Sequence, residues 1–353
     1  MNLIDVFTPK AIAMNWYEVA TNRIPYLGEG LFPAQKKTGL DLSWIKGYSG
    51  LPVSLMPSNF DAKPTFRDRI GVTKLETEMA FFREAMLIKE QDEQDIMRVQ
   101  DTNEPYATEI LNRIFDDANS LIEGALVVPE RMRMQLLSSQ GSPQISITAN
   151  NLNYAYNYDP NGTFAANNYL ALTGTDRWSD FANSDPMEDI KQAQDKIEET
   201  TGARPTIAVM SRKTFNYLLK NEKIKSGILA QNITANIFMT DGILKAFLKE
   251  QLGVSIIIYT KKFKNEAGVA SSFYPDDMCT LIPEGFLGST WFGTTPEERT
   301  GAQSGLQTAI VNTGITVAVS RPNEVPLQTK TIASEIVLPS FERMDECFIM
   351  KVA

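Results

Sequence analysis

Between Asn103 and Ala125, apolar residues recur at Ala107, Ile110, Leu111, Ile114, Ala118, Leu121, Ile122 and Ala125. This three-and-four spacing lines one face of a helix. Glu109, Asn112, Arg113, Asp116, Asp117 and Asn119 take the other face. Glu104-Pro105 opens the segment; a proline is tolerated in the first turn, where its missing N–H has no intrahelical partner. A helix of about six turns with one broad apolar face needs something equally broad to lie on. Two architectures meet that need: an ordinary amphipathic helix on a core, or a spine across which a flat, sheet-containing subunit is built.

What precedes this helix does not fold on itself. Residues 1–30 mix polar and apolar positions, with a helical pattern only from Pro9 to Thr21; they read as a terminal arm that orders against a neighbour. Ile24 to Pro33 holds two prolines and two glycines and reads as a pinned turn. Strand patterns at Leu40–Lys46, Leu51–Met56 and Ile70–Met79 flank the polar, proline-bearing stretch Pro57–Arg69. The sum is a long hairpin with little apolar surface, and a two-stranded ribbon is marginal in water unless it lies on another protein surface. Phe81 to Gln100 reads as a helix ending in the acidic run Glu90–Asp95, a solvated face.

Beyond the long helix, Val127-Val-Pro129 is expected to break it before a shorter helix at Glu130–Ser138. Strand patterns follow at Gln144–Thr148 and Tyr154–Tyr158, closed by the turn Asp159-Pro-Asn-Gly162. An α/β module begins near Trp178. Asp185-Pro-Met-Glu188 is a capping box and Gly202 a helix stop; Ser211 caps a second helix, and Asp241–Leu252 is a third, closed by Gly253. Thr206–Met210, Val254–Tyr259 and Met278–Ile282 read as buried strands, with a hairpin turning at Asn265–Gly268. Strand-like text returns at Gln307–Val319, Thr331–Leu338 and Phe348–Val352.

The chemistry is bounded by what is missing. The chain of 353 residues contains no histidine, which removes the commonest general base and metal ligand together with every Ser–His or Cys–His arrangement. Cys279 and Cys347 stand far apart, outside any Cys-x-x-Cys spacing, and read as small buried apolar residues. Neither a phosphate loop nor a dinucleotide fingerprint occurs. Asp116-Asp117 and Asp276-Asp277 offer adjacent carboxylates, but pairs of this kind are ordinarily solvated, and Lys261-Lys-Phe-Lys264 reads as the solvent face of a strand. A carboxylate-pair hydrolase is the formal enzymatic alternative, although nothing singles out a pair. The expectation is no enzyme, no cofactor and no metal. The start of the chain lacks the pattern of a secretory signal, and no apolar run approaches the ~18 residues of a membrane span. A net charge of −9 opposes gripping nucleic acid through its phosphates.

Five stretches carry a family resemblance. They are Tyr26-Leu-Gly-Glu-Gly-Leu-Phe-Pro33 with Thr38-Gly-Leu-Asp-Leu-Ser-Trp-Ile-Lys-Gly47, then Pro283-Glu-Gly-Phe-Leu-Gly288 with Phe292-Gly-Thr-Thr-Pro-Glu-Glu298, and Leu338-Pro-Ser-Phe-Glu-Arg-Met-Asp-Glu346. In this order they resemble the major capsid protein E family, the lambda-type shell protein of tailed bacteriophages. The resemblance implies an α+β chain with the Hong Kong 97-like capsid fold. It implies an N-terminal arm at 1–37, an extended loop at 38–82, a peripheral domain at 83–177 with a spine helix at 103–125, an axial domain at 178–300, and return strands of the peripheral domain at 301–353. By the same resemblance, the loop tip with Phe60, Lys63, Arg67, Asp68 and Arg69 makes inter-subunit contacts, and Ile110, Leu111, Ile114 and Leu121 form the core face of the spine helix. The implied partners are further copies in hexamers and pentamers, with scaffold, portal and decoration proteins of the same phage. Double-stranded DNA is enclosed without sequence-specific binding. The implied location is the virion, after synthesis in the bacterial host cytoplasm. A tail or adaptor component is the structural alternative. Lys37 and Lys63 are lysines in plausible regions for a covalent crosslink, but that chemistry does not characterise the family.

Overall fold

The computed structural model describes residues 7–21, 23–45, 74–88, 90, 94, 105–149, 152–231, 239–304, 306–320 and 328–353. The chain groups into two compact units, one of residues 1–42, 76–132 and 289–340 and the other of residues 43–75, 133–288 and 341–353.

The first unit is built on a six-stranded sheet. Thr329–Pro339 is its longest strand and pairs antiparallel with Ala80–Ile88, Ile315–Ser320 and Thr290–Phe292; Gln307–Val311 extends the sheet beyond Ile315–Ser320, and Ala34–Lys36 runs parallel to Thr290–Phe292. Ile114, Ala118, Ile122 and Leu126 of the long helix pack in one core with Val311, Ile315 and Val317 from the sheet and Phe7, Ile12, Ala13 and Trp16 from the N-terminal segment. The i, i+4 spacing of the first four brings them onto a single stripe. The turn at 312–314 admits only glycine at its end, because a Cβ on Gly314 would fall 2.1 Å from Phe292 Cδ1.

Four local expectations change here. Ala80–Ile88 is a strand and not the start of a helix; it holds register with Thr329–Pro339 from Ala80↔Val337 to Ile88↔Thr329. Its Arg-Glu-Ala-Met-Leu run favours helix, and residues 83–87 are all exposed, so there is no alternation to betray the strand. Pairing to a distant segment decides the matter. The long helix does not stop at Pro129 but runs unbroken over 33 residues, Pro105–Leu137. A proline inside a helix removes one hydrogen bond and costs ~3 kcal/mol. Burial of Leu121, Ile122 and Leu126 before it, and of Met132, Met134, Leu136 and Leu137 after it, outweighs that cost. The pinned turn at 24–33 contains a short helix, Leu27–Leu31, started by Gly28 N–H donating to the buried Glu130 Oε1 at 3.2 Å. Finally, the terminal segment orders within its own subunit: Thr8 Oγ1 caps the helix Pro9–Ala20, whose Ile12 and Trp16 are buried.

The second unit carries a five-stranded mixed sheet in the order Tyr169–Ala171, Phe348–Lys351, Met278–Ile282, Ile207–Met210, Ser255–Ile258. Phe348–Lys351 therefore joins this sheet, whereas the family resemblance implied a place with the return strands of 301–353 in the peripheral domain. The strand contributes Phe348 and Met350 to a core shared with Ala208, Met210, Cys279 and Leu281. Helices Pro186–Thr201, Arg212–Lys220, Glu222–Gln231 and Asp241–Leu252 add Ile190, Ile197, Phe215, Leu218, Ile224, Leu244 and Leu248 to it. Their ends are set locally: Asp185 Oδ1 accepts from Glu188 N–H, Ser211 Oγ from Thr214 N–H, and Gly202 and Gly253 close their helices in the left-handed region. Buried Gln194 donates to the carbonyls of Pro205 and Leu252.

Asp159, after the hairpin of Gln144–Ala149 and Leu152–Asn157, holds the following turn together. It accepts from Ser142 Oγ, Thr163 Oγ1 and Ala165 N–H at 3.0–3.1 Å. Burial alone would raise its pKa, but the donations from Ala165, Phe164, Thr163 and Ser142 outweigh burial and hold the carboxyl below the usual aspartate range. A depressed folded pKa means that the stabilisation is complete above the unfolded value of ~3.9 and is lost as pH falls through the folded pKa. Asp159→Asn should therefore cost about 1–3 kcal/mol in urea unfolding at pH 7, with the gap to the parent narrowing towards pH 3. An equal gap at both pH values would show that the ionised form contributes nothing.

Candidate functional site

Two of the resemblance-bearing stretches fix segments that would otherwise be loops. In the first unit, Pro296 opens the helix Pro296–Ser304, and Glu297 and Glu298 occupy its first turn, where a negative charge suits the helix N-terminus. Arg83 Nη2, on the strand Ala80–Ile88, pairs with Glu297 Oε1 at 2.6 Å, and Ser334 Oγ donates to Glu297 Oε2 at 2.8 Å. Glu297 is 7% exposed while Arg83 is nearly half exposed, so loss of Arg83 would leave Glu297 with Ser334 and the helix N-terminus and cost about 1–3 kcal/mol. Lys36 Nζ meets Glu298 Oε2 at 2.7 Å, and because this carboxylate is more exposed than that of Glu297 the pair contributes less. The two glutamates thus fasten the strands at 34–36 and 80–88, which bracket the long hairpin in sequence. At the near end of that hairpin, Asp41–Ile45 and Lys74–Glu78 pair as a two-stranded sheet.

In the second unit, Arg343 gathers the turn at 283–288. Its Nη1 donates to the carbonyls of Glu284 at 2.8 Å and Phe286 at 3.1 Å, and its backbone N–H donates to Leu287 at 2.9 Å. Glu346 accepts from Arg343 Nε and Nη2, and raises the guanidinium pKa further against the opposing effect of burial.

The family model of phage major capsid protein E matches residues 17–352. The chain belongs to this family. Compared with curated proteins, the sequence has no match. Among solved structures, the putative capsid protein of a prophage of Escherichia coli CFT073 is similar with a TM-score of 0.59 at 12% identity, over 98% of this chain and 99% of that one. A phage-related protein from Bordetella bronchiseptica RB50 is similar with a TM-score of 0.58 at 13% identity, over 96% of this chain and 97% of that one. At such identities these likenesses speak to fold, and the fold of this capsid E protein is the mixed helix-and-sheet, Hong Kong 97-like capsid architecture.

Of the residues singled out in the capsid E sequence, Phe60, Lys63, Arg67, Asp68 and Arg69 lie outside the described residues. Ile110 and Leu111 fall within the helix Pro105–Leu137, but their side chains lie outside the described residues. Ile114 and Leu121 are buried at 8% and 4% exposure. The residues that fasten the hairpin base, Arg83, Glu297, Glu298 and Lys36, were not singled out as contacts. For Glu297 and Glu298 the sequence signal is membership of Phe292–Glu298, whereas Arg83 and Lys36 lie outside every stretch that carries the resemblance.

The two pairs of adjacent aspartates differ in their surroundings. Asp116 and Asp117 are exposed on the long helix. Asp277, in the left-handed region at φ 63°, accepts from Tyr217 Oη at 2.8 Å and Lys213 Nζ at 3.0 Å, while Asp276 is exposed. Among the described residues, no cluster of three or more acids or cysteines is placed to hold a metal. Burial pushes the thiols of Cys279 and Cys347 far up, which makes them poor nucleophiles. Lys262 and Lys264 are exposed on their strand about half-buried Phe263. No helix among the described residues is long and apolar enough to cross a membrane.

Proposed function

We propose that this chain is the major capsid protein of a tailed bacteriophage and assembles as hexamers and pentamers into the icosahedral head around double-stranded DNA. The observation that carries this reading is the family match from residue 17 to residue 352, on a chain whose fold is that of phage capsid proteins over nearly its full length. Shell formation is the family's function, and the hydrolase and tail-component alternatives are without support. In this reading 1–37 is the arm, 38–82 the extended loop with Phe60, Lys63, Arg67, Asp68 and Arg69 reaching an adjacent subunit, 83–177 and 301–353 peripheral and 178–300 axial, except that Tyr169–Ala171 and Phe348–Lys351 belong with the axial sheet and Thr290–Phe292 with the peripheral one. The fastening of residues 34–36 and 80–88 by Glu298 and Glu297 supports the loop assignment, because a reaching loop needs a fixed base. Scaffold, portal and decoration proteins are the further partners, and synthesis takes place in the bacterial host cytoplasm.

Electron microscopy of the purified full chain tests the reading: capsomers and shells are expected. A small fixed oligomer with a hydrolytic activity that vanishes on one Asp or Glu change would overturn it. The container role also predicts poor DNA binding. With 34 basic against 43 acidic residues, soluble subunits should bind duplex DNA near the ~10⁻⁴ M end of non-specific affinity or below detection at physiological salt. Fluorescence anisotropy checks this, and tight, steeply salt-dependent binding would move the protein towards a nucleic-acid-binding class. Positive groups are then left for contacts between acidic subunits, which rising salt should weaken by screening.

A further inference from the structure

We propose that Phe286 is an assembly anchor: the turn at 283–288, its backbone held by Arg343, presents the exposed ring to a second copy of this chain. This inference rests on the shell-forming reading and adds to it a named contact residue.

Single exposed apolar side chains are normal on a protein surface and need no account. Phe286 differs in how its backbone is held. The ring is 62% exposed, while its neighbour Leu287 is fully buried, and Pro283 and Gly288 on either side are buried as well. Gly285 takes φ 91°, a conformation that L side chains rarely adopt, and a Cβ there would sit 3.6 Å from Arg343 Nη1. Arg343 then fixes the carbonyls on both sides of that glycine, those of Glu284 and Phe286, and its own N–H takes the Leu287 carbonyl. Glu346 in turn holds the guanidinium. An arginine committed to two carbonyls and a carboxylate defines the shape of one turn, and the side chain at the apex of that turn packs into no core of its own.

This is the arrangement that a binding hot spot requires. Interface energy concentrates in a few large side chains, often aromatic, that enter a desolvated pocket. Holding such a group in its bound geometry beforehand removes the ordering cost of association. The occupant follows from the function. In a shell made of one kind of chain, another copy is the neighbour that every subunit meets, and a contact between unlike patches of identical subunits is the heterologous type that builds extended assemblies. The turn and the arginine that shapes it fall within two of the stretches by which the chain resembles its family, Pro283–Gly288 and Leu338–Glu346.

The test compares the full chain with Phe286→Ala and Phe286→Leu, using sedimentation velocity across a concentration series and negative-stain microscopy, with thermal unfolding as the control. Removing an exposed ring should leave the melting temperature within error of the parent. The concentration at which capsomers and shells form should rise at least about tenfold for Phe286→Ala, since burial of a Phe side chain is worth more than one factor of ten in association. Phe286→Leu should fall between the two. Should Phe286→Ala lose stability, Phe286→Leu alone decides, by the same readout. Assembly of the variants at the parent's concentration overturns the inference while leaving the shell-forming reading intact. A parent that forms no capsomers or shells overturns both, because the occupant would then be a different protein.

Discussion

Replacing residues 57–69 by a short Gly-Ser linker is expected to leave a soluble, folded subunit that forms no shells. The segment reads Pro-Ser-Asn-Phe-Asp-Ala-Lys-Pro-Thr-Phe-Arg-Asp-Arg, in which Phe60 and Phe66 are the only large apolar side chains. Its charged and turn-forming residues give it little to bury in a subunit core. The hairpin's near end is held independently: Asp41–Ile45 pairs with Lys74–Glu78, and Glu297 clamps Arg83 beyond it. Between subunits the balance reverses. A contact made by the tip recurs in every subunit of a symmetric shell, so even ~1–2 kcal/mol lost per contact, a tenfold effect on each equilibrium, multiplies around each capsomer. Circular dichroism and thermal unfolding should match the parent, while microscopy shows only free subunits or small oligomers. Normal shells from the shortened chain would sink the assignment of 57–69 as a reaching tip, and with it the contact roles of Phe60, Lys63, Arg67, Asp68 and Arg69.

The parts of the fold that could be read from sequence are those whose causes are local. An N-cap is a side chain bonding to backbone three residues away and a glycine stop is one residue's left-handed backbone, so Asp185, Ser211, Gly202 and Gly253 announced their helix ends. The stripe at Ile114, Ala118, Leu121 and Ile122 is likewise a statement about one helix. What went unread depends on distant partners. Ala80–Ile88 became a strand because Thr329–Pro339 supplies its hydrogen bonds, and the long helix passes Pro129 because tertiary burial on both sides offsets a local penalty. Phe348–Lys351 has the same short apolar text whichever sheet it joins; its register with Met278–Ile282 is set by packing. The same division runs through the candidate site. The stretches 283–288, 292–298 and 338–346 stood out as text, but that Glu297 faces Arg83, or that Arg343 shapes the turn under Phe286, required the chain to be folded.

Ile114→Asp and Ile122→Asp should have the opposite phenotype to the loop deletion, preventing the subunit from folding at all. Both side chains lie in the core that joins the long helix to Val311, Ile315 and Val317 of the sheet and to Ile12 and Trp16 of the N-terminal helix. Ile122 is fully buried and Ile114 is 8% exposed. Each substitution removes about 1.5–3 kcal/mol of apolar burial and adds a carboxylate whose unpaired burial costs several kcal/mol more. Together these approach the ~5–15 kcal/mol by which a domain is stable. Protonating the new aspartate would relieve only the second part, so lowering the pH should not restore the fold. The expected result is insoluble or protease-sensitive protein lacking a cooperative thermal transition, for both variants alike. Because the core also holds the N-terminal segment, that segment should become cleavable at the same time, whereas in the shortened-loop variant it should stay protected. A soluble Ile122→Asp chain with native circular dichroism would mean that the sheet and the N-terminal helix hold together without this face, and the helix would not be the element on which the first unit depends.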